Sequence, residues 1–570
     1  MDSIEHNPEA VDDVAAPARR RKRLVWWATG AAILLLLLLT PPLLNVNRLR
    51  LRIAGGMSAT LGRPVHMDKV SVHLLPVPGF TLENLVVSED PAFGDEPVIR
   101  AMKVELTLRP SSLWRRHVEI SSIRFEVDDN GSAPSLNLVR NAKGEWNVQS
   151  LLMHAAQVDT EPTAQPTPGP APRFPYIEAT GGRVNLKLGA EKQPFSLVDA
   201  DFALWLPTPE NWHVRLEGKP TRTDTNASNT GTVSLEGQLQ RAAKMADVPV
   251  DLRASWHDAP LGQASKLITG EDAGWRGTLM VDATLTGPLK AAKLNTKVHL
   301  LDLRRADFVP VKLLDLDVEC DGDVDVTSAV LMDPSCTMAT PIPKGRKDAG
   351  QVVAIADKVD IQAVRAPGFG TTGLRVGMTN VADSWLLDWA RLFSQRIPAK
   401  ESPEGELAGS VVLGSASDGH APKWQGEFHG DIVGNLPWDK EGSAFVAHPV
   451  SVSVNGEEIT LAPISLAAPG KTPLAFSAEA MPQEYVVHLA GEATVERVSA
   501  LRGMLPVLGD DLESAVPELS AATPPKAAGD AKPEAEKLLK LNITCTRVWP
   551  AAQSCVNAPA EPPKAARRGR

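Results

Sequence analysis

Gly368-Phe369-Gly370-Thr371-Thr372-Gly373 has the spacing of a dinucleotide-binding turn, in which amides at a helix N-terminus meet a pyrophosphate. That chemistry needs a strand before the glycines and a helix after them. Pro367 precedes them here, and Leu374-Arg375-Val376 continues in strand-like alternation, so the segment reads as a glycine-rich turn between strands. Asp321-Gly322-Asp323-Val324-Asp325 suggests a calcium loop. Such a loop beginning at Asp321 needs glycine at its sixth position and glutamate at its twelfth, where the chain has Val326 and Met332. Alternate acids on the solvent face of a strand explain the run more simply. The 12 histidines show no paired spacing, and no G-x-S-x-G nucleophile elbow occurs. No catalytic residue, metal site or cofactor is expected, and the chain does not read as an enzyme.

The four cysteines form two local pairs, Cys320 with Cys336 and Cys545 with Cys555. Neither C-x-x-C nor a nearby histidine supplies tetrahedral metal ligands. An even count at short spacing suits an oxidising compartment; buried free thiols are the alternative. Alternation from Leu314 to Cys320 puts the apolar residues and Cys320 on one strand face, so a bridge to Cys336 across a hairpin is sterically allowed.

The elements that would carry such residues begin with an uncharged stretch between Arg23 and Arg48, preceded by Arg19-Arg20-Arg21-Lys22-Arg23. Leu24, Trp26, Trp27, Ile33, Leu34 and Leu39 belong to this run, which at about 20 apolar residues crosses a bilayer core. It is longer than the apolar region of a signal peptide and lacks a small-x-small cleavage site, so it reads as an uncleaved anchor. The basic bias puts the N-terminus in the cytoplasm. A net charge of −10, with no basic patch outside the termini, argues against nucleic acid. Only two tyrosines disfavour the aromatic girdles of a membrane β-barrel.

Leu49, Ile53, Met57 and Leu61 recur every four residues, predicting an amphipathic helix closed by Arg63-Pro64. Beyond Val65 the period changes to two. Val104-Glu105-Leu106-Thr107-Leu108 and Val184-Asn185-Leu186-Lys187-Leu188 alternate, and Asn455-Gly456 between alternating runs marks a hairpin. Such runs return every 10–14 residues or so, as expected of an antiparallel meander. Helical periods are few: Asp383 to Ile397, with Leu386, Trp389, Leu392 and Phe393 on one face, and Leu261 to Ile268, closed by Gly270. The segments 155–175 and 517–536 read as linkers.

The segment after the anchor resembles the AsmA family. Leu61-Gly62-Arg63-Pro64-Val65, Leu75-Pro76-Val77-Pro78-Gly79-Phe80-Thr81-Leu82, Glu89-Asp90-Pro91-Ala92-Phe93-Gly94, Leu136-Asn137-Leu138-Val139-Arg140-Asn141 and Gly144-Glu145-Trp146-Asn147 carry the likeness over about 24–155. A softer likeness continues over about 176–310. The resemblance implies a periplasmic protein held in the inner membrane of a diderm bacterium and concerned with outer-membrane assembly or lipid homeostasis. It also implies kinship with bridge-like lipid carriers, built from a long, curved antiparallel sheet with an apolar inner face.

The expected fold is therefore mainly β: an N-terminal transmembrane helix, then an extended, curved, groove-like antiparallel sheet with a few short helices. Its parts are a disordered, basic, cytoplasmic segment 1–23, the anchor 24–47, an AsmA-like N-terminal domain 48–154, the linker 155–175, a β-rich groove region 176–500, and an Ala/Pro-rich C-terminal region with a basic tail, 501–570. Some 25–30 strands at about 4.8 Å would make a sheet of ~120–140 Å. Val104, Leu106, Leu108, Val184, Leu186 and Leu188 are the expected groove lining, and Leu49, Ile53, Met57 and Leu61 the lipid entry. The expected partners are phospholipid, the inner membrane and outer-membrane assembly proteins. The alternative role is a non-enzymatic envelope scaffold or regulator affecting outer-membrane protein targeting and assembly.

Overall fold

The computed structural model describes residues 25–32, 47–74, 77–109, 120–149, 151, 175–189 and 191–558, the last less 361–369, 394–402, 415–422, 436–443, 468–471, 522–537 and stretches of one to three residues. Strand dominates, and the chain divides into two compact units, 1–218 and 219–570.

In the first unit, residues 25–32 are helical, with Trp26 and Trp27 each 80% exposed. Leu24, Ile33, Leu34 and Leu39 lie outside the described residues. Among the described residues, no helix is long and apolar enough to cross a membrane. The helix Asn47–Leu61 stops at Gly62, whose φ of 65° suits the residue after a helix end. Ile53, Ala54 and Met57 pack on a core that includes Val70, Leu82, Val104 and Leu106.

The strands Gly79–Val87 and Ile99–Leu108 pair along their lengths at the centre of this unit's sheet. Ile120–Glu126 and Ser135–Arg140 both pair antiparallel with Ile99–Leu108, then both run parallel to Tyr176–Leu188. These two parallel pairings depart from the expected pure meander. Residues 141–175 separate the parallel strands in sequence, and parallel pairing requires a long connection of this kind.

The second unit is a meander running from Asn211–Arg222, inside which the division falls, to Ser554–Asn557. Thr371–Thr372 is strand, paired with Lys358–Asp360, and the strand Arg375–Ala382 follows it. Part of the glycine-rich run is thus itself strand, and Gly373, φ 67°, turns the chain into the next strand, so no helix opens on these glycines; Gly368 and Phe369 lie outside the described residues. At Asn455-Gly456 the strands Ala444–Asn455 and Glu458–Leu466 close in register, with Gly456 at φ 69° supplying the turn.

The helix Leu261–Thr269 ends at Gly270, φ 93°, as its sequence predicts. The helix Asp383–Arg391 is shorter than its periodicity suggests and buries a different face: Asp383, Trp385, Asp388 and Arg391. Leu392 is buried just past its end, whereas Phe393 is 63% exposed. The strand Arg375–Ala382 runs directly into the helix, so the strand fixes which side lies down, and Trp385 becomes the anchor.

The C-terminal region departs further from expectation. Val495–Met504, Leu512–Ala515 and Glu518–Ala521 are helices, and Leu539–Val548 and Ser554–Asn557 extend the sheet. Leu501, Leu508 and Leu512 are fully buried in the largest core among the described residues, beside Leu474, Leu489 and Ile543. The alternation Leu539, Leu541, Ile543, Cys545 builds this strand despite its Ala/Pro-rich surroundings.

Cys320 lies directly opposite Cys336 and Cys545 directly opposite Cys555, and both pairs are disulfides with Cα–Cα distances of 4.0 and 4.1 Å. Closing loops this short stabilises a folded chain by roughly 2–4 kcal/mol. The double substitution Cys545→Ser/Cys555→Ser should therefore expose the last strands to protease at temperatures where the native chain resists. Limited proteolysis with mass mapping of 495–558 measures this.

Candidate functional site

Paired residues on adjacent strands share a face, so the register traces one face across the second unit. Trp256 lies opposite Val281, Val281 opposite Val298, and Val298 opposite Val318. The row continues through Met338, Val352 and Met378. Met378 faces Gly409, and Gly409 faces Phe428. A Cβ on Gly409 would come within 2.6 Å of the Phe428 Cα, so only glycine admits the aromatic strand this closely. Beyond Phe428 the row resumes as Val452, Leu461, Ala478 and Val487.

One step along each strand the chemistry inverts. Ser255 lies opposite Asp282, Asp282 opposite Lys297, Lys297 opposite Glu319, and Glu319 opposite Thr337. Lys297 Nζ sits 2.7 Å from Glu319 Oε1. Asp321 and Asp323 belong to this polar face too, and Asn295 donates to Asp321 at 2.7 Å. They are therefore the solvent-side acids expected from their alternation. Among the described residues, no group of three or more His, Cys, Asp or Glu is placed to hold a metal ion.

The apolar row from Trp256 to Phe428 is half-buried throughout. It runs beside two patches that helices cover. Leu261–Thr269 lies on Ala259 and Leu279 through Ala264, and Asp383–Arg391 lies on Leu303, Leu314 and Leu316 through Trp385. Next to the large residues runs a row of small ones: Ala254, Ala283, Thr296, the Cys320–Cys336 disulfide and Ala354. Small beside large gives a shallow channel running across the strands. Six strands at ~4.8 Å make it about 24 Å long, more than the ~15 Å that one leaflet's chains fill.

The first unit holds a different constellation. Arg63 Nη1 lies 3.5 Å from Glu89 Oε1 and 3.1 Å from Asp90 Oδ2. Glu89 accepts a short hydrogen bond from Asn147 Nδ2, which also donates to Asn137 O at 2.8 Å, while Asn147 Oδ1 accepts from Val139 N at 3.0 Å. Asn185 Nδ2 donates to Asn137 Oδ1 at 3.1 Å, and Ser196 Oγ donates to Asn185 Oδ1 at 3.0 Å. All of these except Asp90 are buried. Burial pushes the Glu89 carboxyl up from its ordinary value, while Asn147 and Arg63 oppose the shift. Asn137 and Asn185 meet because Ser135–Arg140 and Tyr176–Leu188 run parallel with these residues in register.

The expected site residues are distributed between these features. Val104 and Leu106 are core beneath the helix Asn47–Leu61, and Leu108 is also buried, so all three are filled interior and not open lining. Val184 and Leu186 are half-buried and Leu188 is exposed, while Asn185 and Lys187 on the alternate face are buried. Ile53 and Met57 seat their helix and Leu61 is half-buried; the side chain of Leu49 lies outside the described residues. The row in the second unit follows from the register between strands, which alternation within one strand does not give. The buried polar chain was visible only as scattered motif residues.

By fold and site, this is a sheet protein with a polar face, an apolar face and a polar lock in its N-terminal unit. The model of the AsmA family matches residues 18–190, a segment that contains every link of the lock from Arg63 to Asn185. Comparisons with curated proteins and with solved structures give no match.

Proposed function

We propose that this protein is a non-enzymatic, inner-membrane-anchored envelope protein that holds or conducts phospholipid acyl chains along the apolar sheet face, in outer-membrane biogenesis or lipid homeostasis. The observation that carries this reading is the row of half-buried apolar side chains in register from Trp256 to Phe428, broken at Gly409 and backed by a charged opposite face. An amphipathic sheet must cover its apolar side. Acyl chains cover it without any directional motif, each buried CH₂ contributing about 0.8 kcal/mol. The match of residues 18–190 to the AsmA family fits an envelope and lipid-related role in general. The uncharged stretch Leu24–Asn47 supplies the anchor, with the bulk of the chain in the periplasm, where the two disulfides suit an oxidising compartment.

Site-specific photocrosslinking tests this on the full chain in cells. With p-benzoylphenylalanine at Val298 or Val376, purified protein should carry phosphorus-containing lipid adducts detectable by mass spectrometry. With the probe at Lys297, on the opposite face, it should carry few or none. Equal yields from the two faces, or none from either, overturn the reading. Protein adducts at Val298 in fixed stoichiometry would favour an envelope scaffold instead.

A further inference from the structure

The helix Asp383–Arg391 begins with a carboxylate in an unusual position. Asp383 is 5% exposed, and among the described residues neither of its side-chain oxygens has a hydrogen-bond partner. Its carboxyl occupies the space where a side chain at Gly405 would stand: a Cβ there would lie 2.4 Å from Asp383 Oδ2. Gly405 has φ 143°, which glycine adopts freely. Asp383 follows Ala382, which lies opposite Glu406, and Glu406 lies opposite Asp431. Two further carboxylates thus stand beside it.

Among the described residues, the remaining charges around the helix leave Asp383 uncompensated. On the helix itself, Asp388 takes both Lys312 Nζ, at 2.5 Å, and Arg391 Nη1, at 2.7 Å. The strand Arg375–Ala382 offers only Arg375, at its far end, paired opposite Val412. Glu404 and Glu406 lie on one following strand, and Glu427, His429 and Asp431 on the next, with His429 Nε2 on Glu427 at 3.1 Å. Beneath the helix, Arg305 engages Asp307, Arg304 donates to Asp302 O, and Asp315 accepts the Asp302 amide. An unpaired buried carboxylate is costly, and a group so placed takes a proton instead.

We propose that Asp383–Arg391 is a proton-held cover on the apolar face: the neutral Asp383 carboxyl lets it seat, and ionisation releases it. The seat is Trp385 and Leu392 against Leu303, Leu314, Leu316 and Val381. Asp383 is the first residue of the helix and Trp385 the third, so hydrating the carboxylate lifts the anchoring turn. The cover deepens the lipid-holding reading, because what it uncovers is more of the same face, but its release needs no lipid.

Burial first, then Asp431 and Glu406, push the Asp383 carboxyl up to about 7 from 3.8. The seated state therefore keeps its proton at pH values where the released one has lost it. Below the ordinary value both are protonated and there is no bias. As pH rises from about 4 towards 7 the seated state loses ground, and above 7 the loss is complete.

Hydrogen exchange of the full chain, followed by mass spectrometry over 383–393 and corrected for the intrinsic pH dependence of exchange, measures this. Protection in the native chain should fall ~30-fold between pH 5.5 and 8.0 if release restores the ordinary Asp value. Asp383→Asn should be protected equally at both. Glu406→Gln, which removes one repelling charge, should show a smaller fall than the native chain. A native chain with no fall, or an Asp383→Asn chain with the same fall, overturns the cover. Should Asp383→Asn be unprotected at both pH values, Glu406→Gln decides: a smaller fall supports the cover and an unchanged one overturns it. Lipid adducts at Val376 report separately, so an intact pH response without adducts sinks the lipid reading and leaves the cover standing.

Discussion

Val318→Asp should reduce lipid capture by a probe at Val376 at least tenfold, whereas Glu319→Ala, one residue away, should leave it unchanged. Val318 sits in the middle of the apolar row, between Val298 and Met338. A carboxylate there brings its hydration shell into the channel, and an acyl chain crossing it must strip that water away or leave a charge buried, at several kcal/mol. Glu319 points to the opposite face, where Lys297 meets it in water, and exposed pairs of this kind contribute at most about 1 kcal/mol. Val318→Ala separates charge from shape, since it should keep most of the capture. The Cys320–Cys336 bond, two residues along the same strand, serves as an internal check of folding. If Val318→Asp retains a bond that resists alkylation yet loses lipid, the face is the site. Unchanged capture in Val318→Asp would remove the channel as an explanation.

Much of that row is legible from the sequence and part of it is not, for a physical reason. Period-two alternation identifies which residues of one strand share a face, so Leu316, Val318 and Cys320 could be grouped at once. Alternation does not say which face of the next strand meets them, because register depends on bulges. In this chain a bulge interrupts the pairing between Trp256 and Ala259, another between Leu300 and Leu303, and another between Met378 and Val381. Each bulge re-aims the residues beyond it. The same limit explains the groove residues expected in the first unit. Val104 and Leu106 alternate as well as Val298 does, but a helix of modest apolar character happens to lie over them. Periodicity reports that a face is apolar; what covers it is decided by elements elsewhere in the chain. Nothing local in the sequence distinguishes Asp383, pressed into the space above Gly405, from a solvated acid at a helix start.

Asn147→Ala should cost the first unit about 3–5 kcal/mol, more than any loss of a single exposed pair, and should cost more at pH 8 than at pH 5. Asn147 is fully buried and spends its amide on three partners: the Val139 N–H, the Asn137 carbonyl and the Glu89 carboxylate. Alanine fills none of these roles, and each buried group left unsatisfied costs about 1–3 kcal/mol. The pH dependence follows from Glu89. Burial already raises its carboxyl above the ordinary value, and Asn147 is the first of the two groups holding it down. Without the amide the folded-state value climbs further, so ionisation weighs against folding as pH rises above the unfolded value near 4.5. Below that value Glu89 is protonated in both states and only the lost neutral hydrogen bonds remain. Glu89→Gln separates these contributions: combined with Asn147→Ala, it should abolish the difference between the two pH values. Pulse proteolysis across a urea series at pH 5 and pH 8, reading fragments of 47–189, measures all of this. Equal losses at both pH values would mean that Glu89 is not the group through which Asn147 acts. The motif by which residues 18–190 resemble the AsmA family would then be a set of separate contacts. The lock reading instead makes Arg63, Glu89, Asn137 and Asn147 one unit, because Arg63 and Asn147, far apart in sequence, meet on one buried carboxylate and Asn147 ties it to Asn137.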